Sequence, residues 1–189
     1  MKGAIDTGRL RPNQGRSNQK LYFARLQQER LQQLVAERSA FAWEAEALSC
    51  REAAILHLHG AYLAFLQELV RFYKLQGPLT TSEALRQAMA AKGLVSPEIT
   101  VLQRLEQDHG SWLARLLKAH QDCLIAPDAS AAAAAEDGAA EPGSALRSIS
   151  VVSVAADAPL SAGDIESLQA WHRELTRSIR EFRREMAEW

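Results

Sequence analysis

One segment constrains the fold more than any other. Residues 50–75, "CREAAILHLHGAYLAFLQELVRFYKL", are apolar nearly all round a helical wheel and end before Gly77 and Pro78, which stop helices. A helix that is apolar on every side must be surrounded by other elements. The other segments have helical patterns, so the sequence predicts an all-α fold with this helix at the centre of a bundle.

The same segment raises the question of a membrane span. Its longest apolar run, residues 53–66, is interrupted by His57, His59 and Gly60. A span needs about 20 predominantly apolar residues, so we expect this run to be too short and too polar to cross a bilayer.

The surrounding helices are predicted from their start and stop signals. The first helix should begin at Ser17 or Asn18 and break at "SCRE", residues 49–52, which has the form of a capping box. The later signals are a capping box at Thr80 and Glu83, a C-terminal glycine at Gly93, an N-cap and proline at Ser96 and Pro97, an end near Asp108, and an N-cap at Ser111.

The chain divides by composition. Residues 126–145 are rich in Ala, Asp, Glu, Gly and Pro, whereas "LRSISVVSV", residues 146–154, is rich in β-branched residues. The sequence predicts a disordered basic tail at 1–16, a five-helix bundle at 17–125, a flexible Ala-rich acidic linker at 126–145, a short extended segment at 146–160, and an amphipathic C-terminal helix at 161–189.

Two of these regions leave alternatives open. The extended segment either pairs with its copy in a second chain or lies over the bundle, burying Ile149, Val151 and Val154. The C-terminal helix carries an apolar seam that needs a partner, and docking on its own bundle competes with a coiled-coil dimer. We expect docking in cis. The seam residues are Ile165, Leu168, His172, Leu175, Ile179, Phe182, Met186 and Trp189.

Composition narrows the classes of function. The chain has 22 Lys and Arg against 23 Asp and Glu, a net charge of −1, so no global charge favours a nucleic-acid or membrane partner. Cys50 and Cys123 show no CxxC spacing, and the N-terminal residues lack the apolar stretch of a secretory signal. The expected location is the cytoplasm, where thiols stay reduced.

The two histidines of the central segment are candidates for chemistry. His57 and His59 are two residues apart, so on a helix their side chains differ by about 200° and cannot share one ion. A helical metal pair needs a spacing of three or four. We therefore expect His59 to be a core histidine and His57 to lie on a narrow polar stripe, with no metal and no cofactor.

An arginine–histidine spacing offers the one enzymatic hypothesis. The helix order resembles the HEPN superfamily of small helical nucleases, which use an arginine and a histidine four to six residues apart. Arg115 and His120 have an Arg-x4-His spacing and lie late in the bundle. Arg104 and His109 also have four residues between them, and Arg51 and His57 have five. The resemblance implies RNA cleavage, with histidine as acid or base and arginine stabilising the phosphorane. About one such pair is expected by chance.

A second resemblance covers more of the chain. "SNQKLYFARLQ", residues 17–27, followed by residues 51–75 and by "SWLARLL", resembles an uncharacterised bacterial family of small cytoplasmic helical proteins, a domain of unknown function. This resemblance implies no catalytic residue. We therefore expect a non-enzymatic interaction or regulatory module with a protein partner, as a monomer or homodimer, and a HEPN-like ribonuclease is the alternative.

Three aromatic residues stand at predicted helix starts. Tyr22 and Phe23 open the first helix and Trp112 opens the fifth. Large aromatic side chains at these places commonly anchor one helix to the next, so we expect a structural role. A ligand pocket is the alternative, since pockets also recruit aromatic residues.

Overall fold

The computed structural model describes residues 12–37, 43–125, 160 and 162–188. Within these ranges the chain is all-α, as predicted, and contains no strand. Its helices are α1 (Pro12–Glu37), α2 (Trp43–Phe72), α3 (Ser82–Ala90), α4 (Pro97–Gln107), α5 (Trp112–Asp122) and α6 (Ala162–Ala187). The predicted linker at 126–145 and residues 146–159 of the predicted extended segment lie outside the described residues.

Helix α2 is the centre of the bundle and packs against α1, α3, α5 and α6. Leu58, Tyr62, Phe65 and Leu69 are each 2% exposed or less. By length and composition alone, the 30-residue α2 is long and apolar enough to cross a membrane, contrary to the expectation that this segment is too short and too polar. The core helix of a soluble bundle passes the same test, and 56% of the relevant window of α2 is buried within the protein.

Two predicted helix limits are wrong. Helix α1 begins at Pro12, so the last residues of the predicted tail are helical. Helix α2 begins at Trp43 and passes through Ser49–Glu52 without a break. Ala47 and Cys50 are buried on the same continuous apolar face, and packing of that face outweighs a local capping signal that contains neither Gly nor Pro.

The short helices follow their local signals closely. Ser96 caps α4 by accepting a hydrogen bond from the Ile99 amide at 3.2 Å, and Ser111 caps α5 in the same way. Gly93 has φ +67°, the left-handed conformation expected after a helix. The cap of α3 is Thr81 rather than the predicted Thr80.

Helix α6 packs on its own bundle, the arrangement expected for the C-terminal helix, so the described residues form six packed helices. It packs on α1, α2 and α5. Its buried residues are Leu168, Trp171, Leu175, Ile179 and Phe182, and the Phe182 ring stacks on Phe65 of α2 at 5.7 Å. Of the predicted seam, Ile165, His172 and Met186 are only partly buried, and Trp171, which the seam did not include, is buried. Trp189 lies outside the described residues.

Two carboxylates hold α3 and α4 against α2. Glu106 of α4 accepts hydrogen bonds from the Tyr62 hydroxyl of α2 and the Ser82 hydroxyl of α3. Glu98 accepts one from Tyr73 at 2.8 Å. Burial raises the pKa of Tyr73 to about 12, so this phenol stays protonated and remains a donor.

A buried ion pair fixes α6 on the other side of α2. The Arg183 guanidinium donates two hydrogen bonds to the Glu68 carboxylate, Nε to Oε2 at 2.9 Å and Nη2 to Oε1 at 2.8 Å. The Arg183 and Glu68 side chains are only 15% and 6% exposed. Arg183 also donates to Ser17 and Asn18 of α1, and the Ser17 hydroxyl donates to Glu68. We call these four residues the Arg183 network; it joins α1, α2 and α6.

Removing one member of this ion pair should destabilise the folded chain. Arg183→Met leaves the buried Glu68 carboxylate without its counter-charge, so the free energy of unfolding should fall by about 3–5 kcal/mol in urea titrations. Glu68→Met together with Arg183→Met should recover most of that loss, because neither charge then remains unpaired.

The control is Arg86→Met, which breaks the exposed Arg86–Glu83 pair of α3. Exposed pairs contribute about 0–1 kcal/mol, so this variant should unfold almost as wild type does. If Arg183→Met were as mild as Arg86→Met, the Arg183 network would not hold α6 in place.

Candidate functional site

The two histidines of α2 contact different helices, so they do not share a site. The His57 ring lies 5.4 Å from the Phe23 ring of α1, centroid to centroid. The His59 ring stacks on His120 of α5, with centroids 3.6 Å apart and planes at 24°. This divergence is the one expected for side chains two residues apart on a helix.

Within the stacked pair, His59 is held in its neutral form. Burial, and then the neighbouring His120, lower the pKa of His59 to about 4. Burial also lowers the pKa of His57, with smaller contributions from Lys20 and Arg16. The histidine pair is therefore a packing contact between α2 and α5 at neutral pH.

The candidate ribonuclease residues do not converge. Arg115 is exposed, and its Nε donates to the Ser111 carbonyl of its own helix at 3.3 Å, whereas His120 faces His59. Residues five apart on a straight helix point about 140° from each other.

The other two arginine–histidine pairs are also separate. Arg51 forms an ion pair with Asp164 of α6 at 3.5 Å, while His57 packs on α1. Arg104 and His109 are both exposed, at the end of α4 and in the turn after it. None of the three pairs lines the groove that α1 and α6 form between them.

The side chains that could bind a metal ion also do not converge among the described residues. Across the part of the chain that the structure describes, no three His, Cys, Asp or Glu side chains are placed to hold one ion. Cys50 is buried and Cys123 half-buried, and burial raises the pKa of both thiols.

A groove with a volume of about 780 Å³ lies between α1 and α6. One wall is a row of exposed arginines on α6, which we call the arginine ridge: Arg173, Arg177, Arg180 and Arg184. The first three line the groove directly. Intervals of four, three and four residues keep all four side chains within about 60° of arc on the helix.

The floor and the opposite wall of the groove come from both helices. Leu21 and Ile179 are buried beneath it, and Tyr22 of α1 is 49% exposed along its side. The Arg25 guanidinium lies over the Tyr22 ring at 5.2 Å from the centroid. Tyr22 is therefore a groove residue, and about half of its surface is exposed rather than packed between helices. Phe23 and Trp112, in contrast, are partly buried.

His172 contributes to the same groove. It lies where α6 faces Arg25, and burial followed by the Arg25 charge lowers its pKa. Arg183, at the far end of the groove, is held by the Arg183 network. The groove is therefore positioned by the same contacts that hold α6 on the bundle.

The family model of DUF6586, a family of unknown function, matches residues 12–189. The chain belongs to this family. No curated protein and no solved structure matches the chain. The matched range includes both α1 and α6, so both walls of the groove lie inside the DUF6586 domain.

The arginine ridge was not predicted from the sequence, because the overall net charge gave no sign of a basic surface. The signal is the spacing of the four arginines along the C-terminal helix of this DUF6586 chain. Interspersed acidic residues such as Glu174, Glu181 and Glu185 hide it in the overall net charge. A helical wheel of the charged residues, rather than of the apolar ones, would have revealed it.

The histidine pair predicts a pH dependence of stability. Because the pKa of His59 is lowered to about 4 in the folded chain, the unfolded chain binds this proton at higher pH. Stability should therefore be complete above about pH 6.5 and should decrease as the pH falls toward 4. Urea titrations between pH 7 and 4 measure this slope.

Substitutions show which histidine causes this pH dependence of stability. His59→Gln should make the pH dependence shallower, because the titrating group is removed. His109→Gln, at an exposed histidine in the turn after α4, should leave the slope as in wild type. An unchanged slope in His59→Gln would show that the stacked pair is not its source.

Proposed function

We propose that this chain is a non-enzymatic interaction module that binds a protein partner in the groove between α1 and α6. The observation that carries the proposal is the arginine ridge beside an apolar floor in a concave surface. Charged groups placed around apolar surface are the usual composition of a protein-recognition site.

The charges of the groove are only partly neutralised by the chain itself. Arg177 pairs with Glu174, and Arg25 pairs with Glu29 at 3.5 Å. No carboxylate among the described residues lies within ion-pair distance of Arg173 or Arg180. These two guanidiniums have donors left for a bound carboxylate.

The positions of Arg115 and His120 favour a binding role over ribonuclease chemistry. General acid–base catalysis needs the proton-transfer group and the charge-stabilising group within reach of one reacting atom. His120 faces His59, and Arg115 is held by its own helix. We place the module in the cytoplasm, which suits free thiols at Cys50 and Cys123.

Site-specific crosslinking tests the proposed surface. A photoreactive amino acid at Thr176, inside the groove, should capture a defined protein partner in living cells. The adduct should disappear when Arg173 and Arg180 are both changed to Glu. The matched control places the photoreactive group at Gln87, exposed on α3. Capture that is equal at both positions, or unaffected by the charge reversal, would contradict the proposal.

A direct assay separates binding from catalysis. Purified protein should leave single-stranded RNA uncut over hours, and the His120→Ala variant should be indistinguishable from wild type. RNA cleavage that is lost in both Arg115→Ala and His120→Ala would instead support the ribonuclease hypothesis.

A further inference from the structure

The geometry of the groove points to the class of its partner: we infer that it binds an amphipathic α-helix with carboxylates repeated every three or four residues beside an apolar stripe. This inference rests on the proposed function and adds the form and chemistry of the ligand. It follows from the spacing of the ridge, from the apolar floor, and from the acidic residues beside the ridge.

The spacing of the ridge matches a helix. Arg173 and Arg184, the first and last arginines of the ridge, are 11 residue steps apart, or about 16 Å at 1.5 Å per step. A second helix lying alongside presents side chains with the same 5.4 Å pitch. Carboxylates on one face of such a helix can therefore meet successive arginines, each in the bidentate geometry that guanidinium favours.

The apolar part of the surface lies beside the ridge. Leu21 and Ile179 form the floor, and Tyr22 presents half of its surface at the side. Leu26, one turn after Tyr22 on α1, is 40% exposed. An apolar stripe on the ligand would cover the exposed Tyr22 and Leu26, above the buried Leu21 and Ile179. This is the helix-in-groove mode of peptide recognition.

The acidic residues beside the ridge favour a polypeptide over a nucleic acid. Glu181 lines the groove, and Glu174 lies against Arg177. A phosphodiester backbone carries a charge at every unit and would pass these carboxylates at unfavourable distances. A helix places its acids only where arginines face it, and can present neutral or basic residues opposite Glu181.

Anisotropy titrations of the full chain test the inference. The probe is a labelled 20-residue helical peptide with glutamates at positions i, i+4, i+7 and i+11 beside a stripe of leucines. It should bind, and a peptide of the same composition with a scrambled order should bind at least tenfold more weakly. Binding should also weaken as salt increases.

Matched variants assign the site. Changing Arg173, Arg177 and Arg180 to Glu should weaken binding of the patterned peptide by at least tenfold. Changing Lys92, Arg104 and Lys118 to Glu alters the net charge equally at exposed positions outside the groove and should have little effect. Circular dichroism of both variants checks that the helices are intact.

These experiments give different results if the groove binds RNA, an unpatterned peptide or a second copy of the chain. Equal binding of the patterned and scrambled peptides, or tighter binding of a single-stranded RNA 20-mer, would overturn the inference. A dimer seen by light scattering that the arginine variant dissociates would also overturn it, because a second copy would then fill the groove. If both peptides fail while crosslinking at Thr176 still depends on Arg173 and Arg180, the proposed function stands and the ligand class is wrong.

Discussion

The ion pair between Arg183 and Glu68 is the contact on which the arrangement of the helices depends. Glu68 is buried and Arg183 is mostly buried, so their attraction outweighs the cost of burial only when the geometry is good and the remaining donors are satisfied. Ser17 and Asn18 of α1 supply the remaining partners. Because a shift of α6 along the bundle would separate these groups, the network sets the position of α6 relative to both α1 and α2.

The groove is a consequence of that position. Helix α6 buries Leu168, Leu175 and Ile179 on one face, and the arginine ridge occupies the opposite, exposed face. Apolar packing alone tolerates small slides between helices, whereas a bidentate pair does not. The distance between Tyr22 on α1 and the ridge on α6 is thus fixed by a contact at one end of the groove, so the proposed binding surface would be preformed.

Local signals allowed much of the fold to be predicted, and long-range contacts explain the rest. Gly93, Ser96 and Ser111 end or cap helices through contacts with residues next to them in sequence, so these helix limits follow from the sequence. The 50–75 segment is apolar on every side, so its central position follows as well. The continuity of α2 through Ser49 could not be predicted, because burial of Cys50 depends on helices elsewhere. The same applies to the histidine stack, whose members are 61 residues apart, and to the Arg183–Glu68 ion pair, whose members are 115 residues apart. The candidate groove needs two helices at opposite ends of the chain.

Native-state hydrogen exchange of the full chain tests most directly whether α6 is an integral part of the bundle. Amide protons of α6 between Leu168 and Phe182 should exchange only through global unfolding, with the same opening free energy as the central amides of α2. If these α6 amides open at a much lower free energy while those of α2 stay protected, α6 would be a detachable element. That result would contradict both the positioning role of the Arg183 network and the presence of a preformed groove.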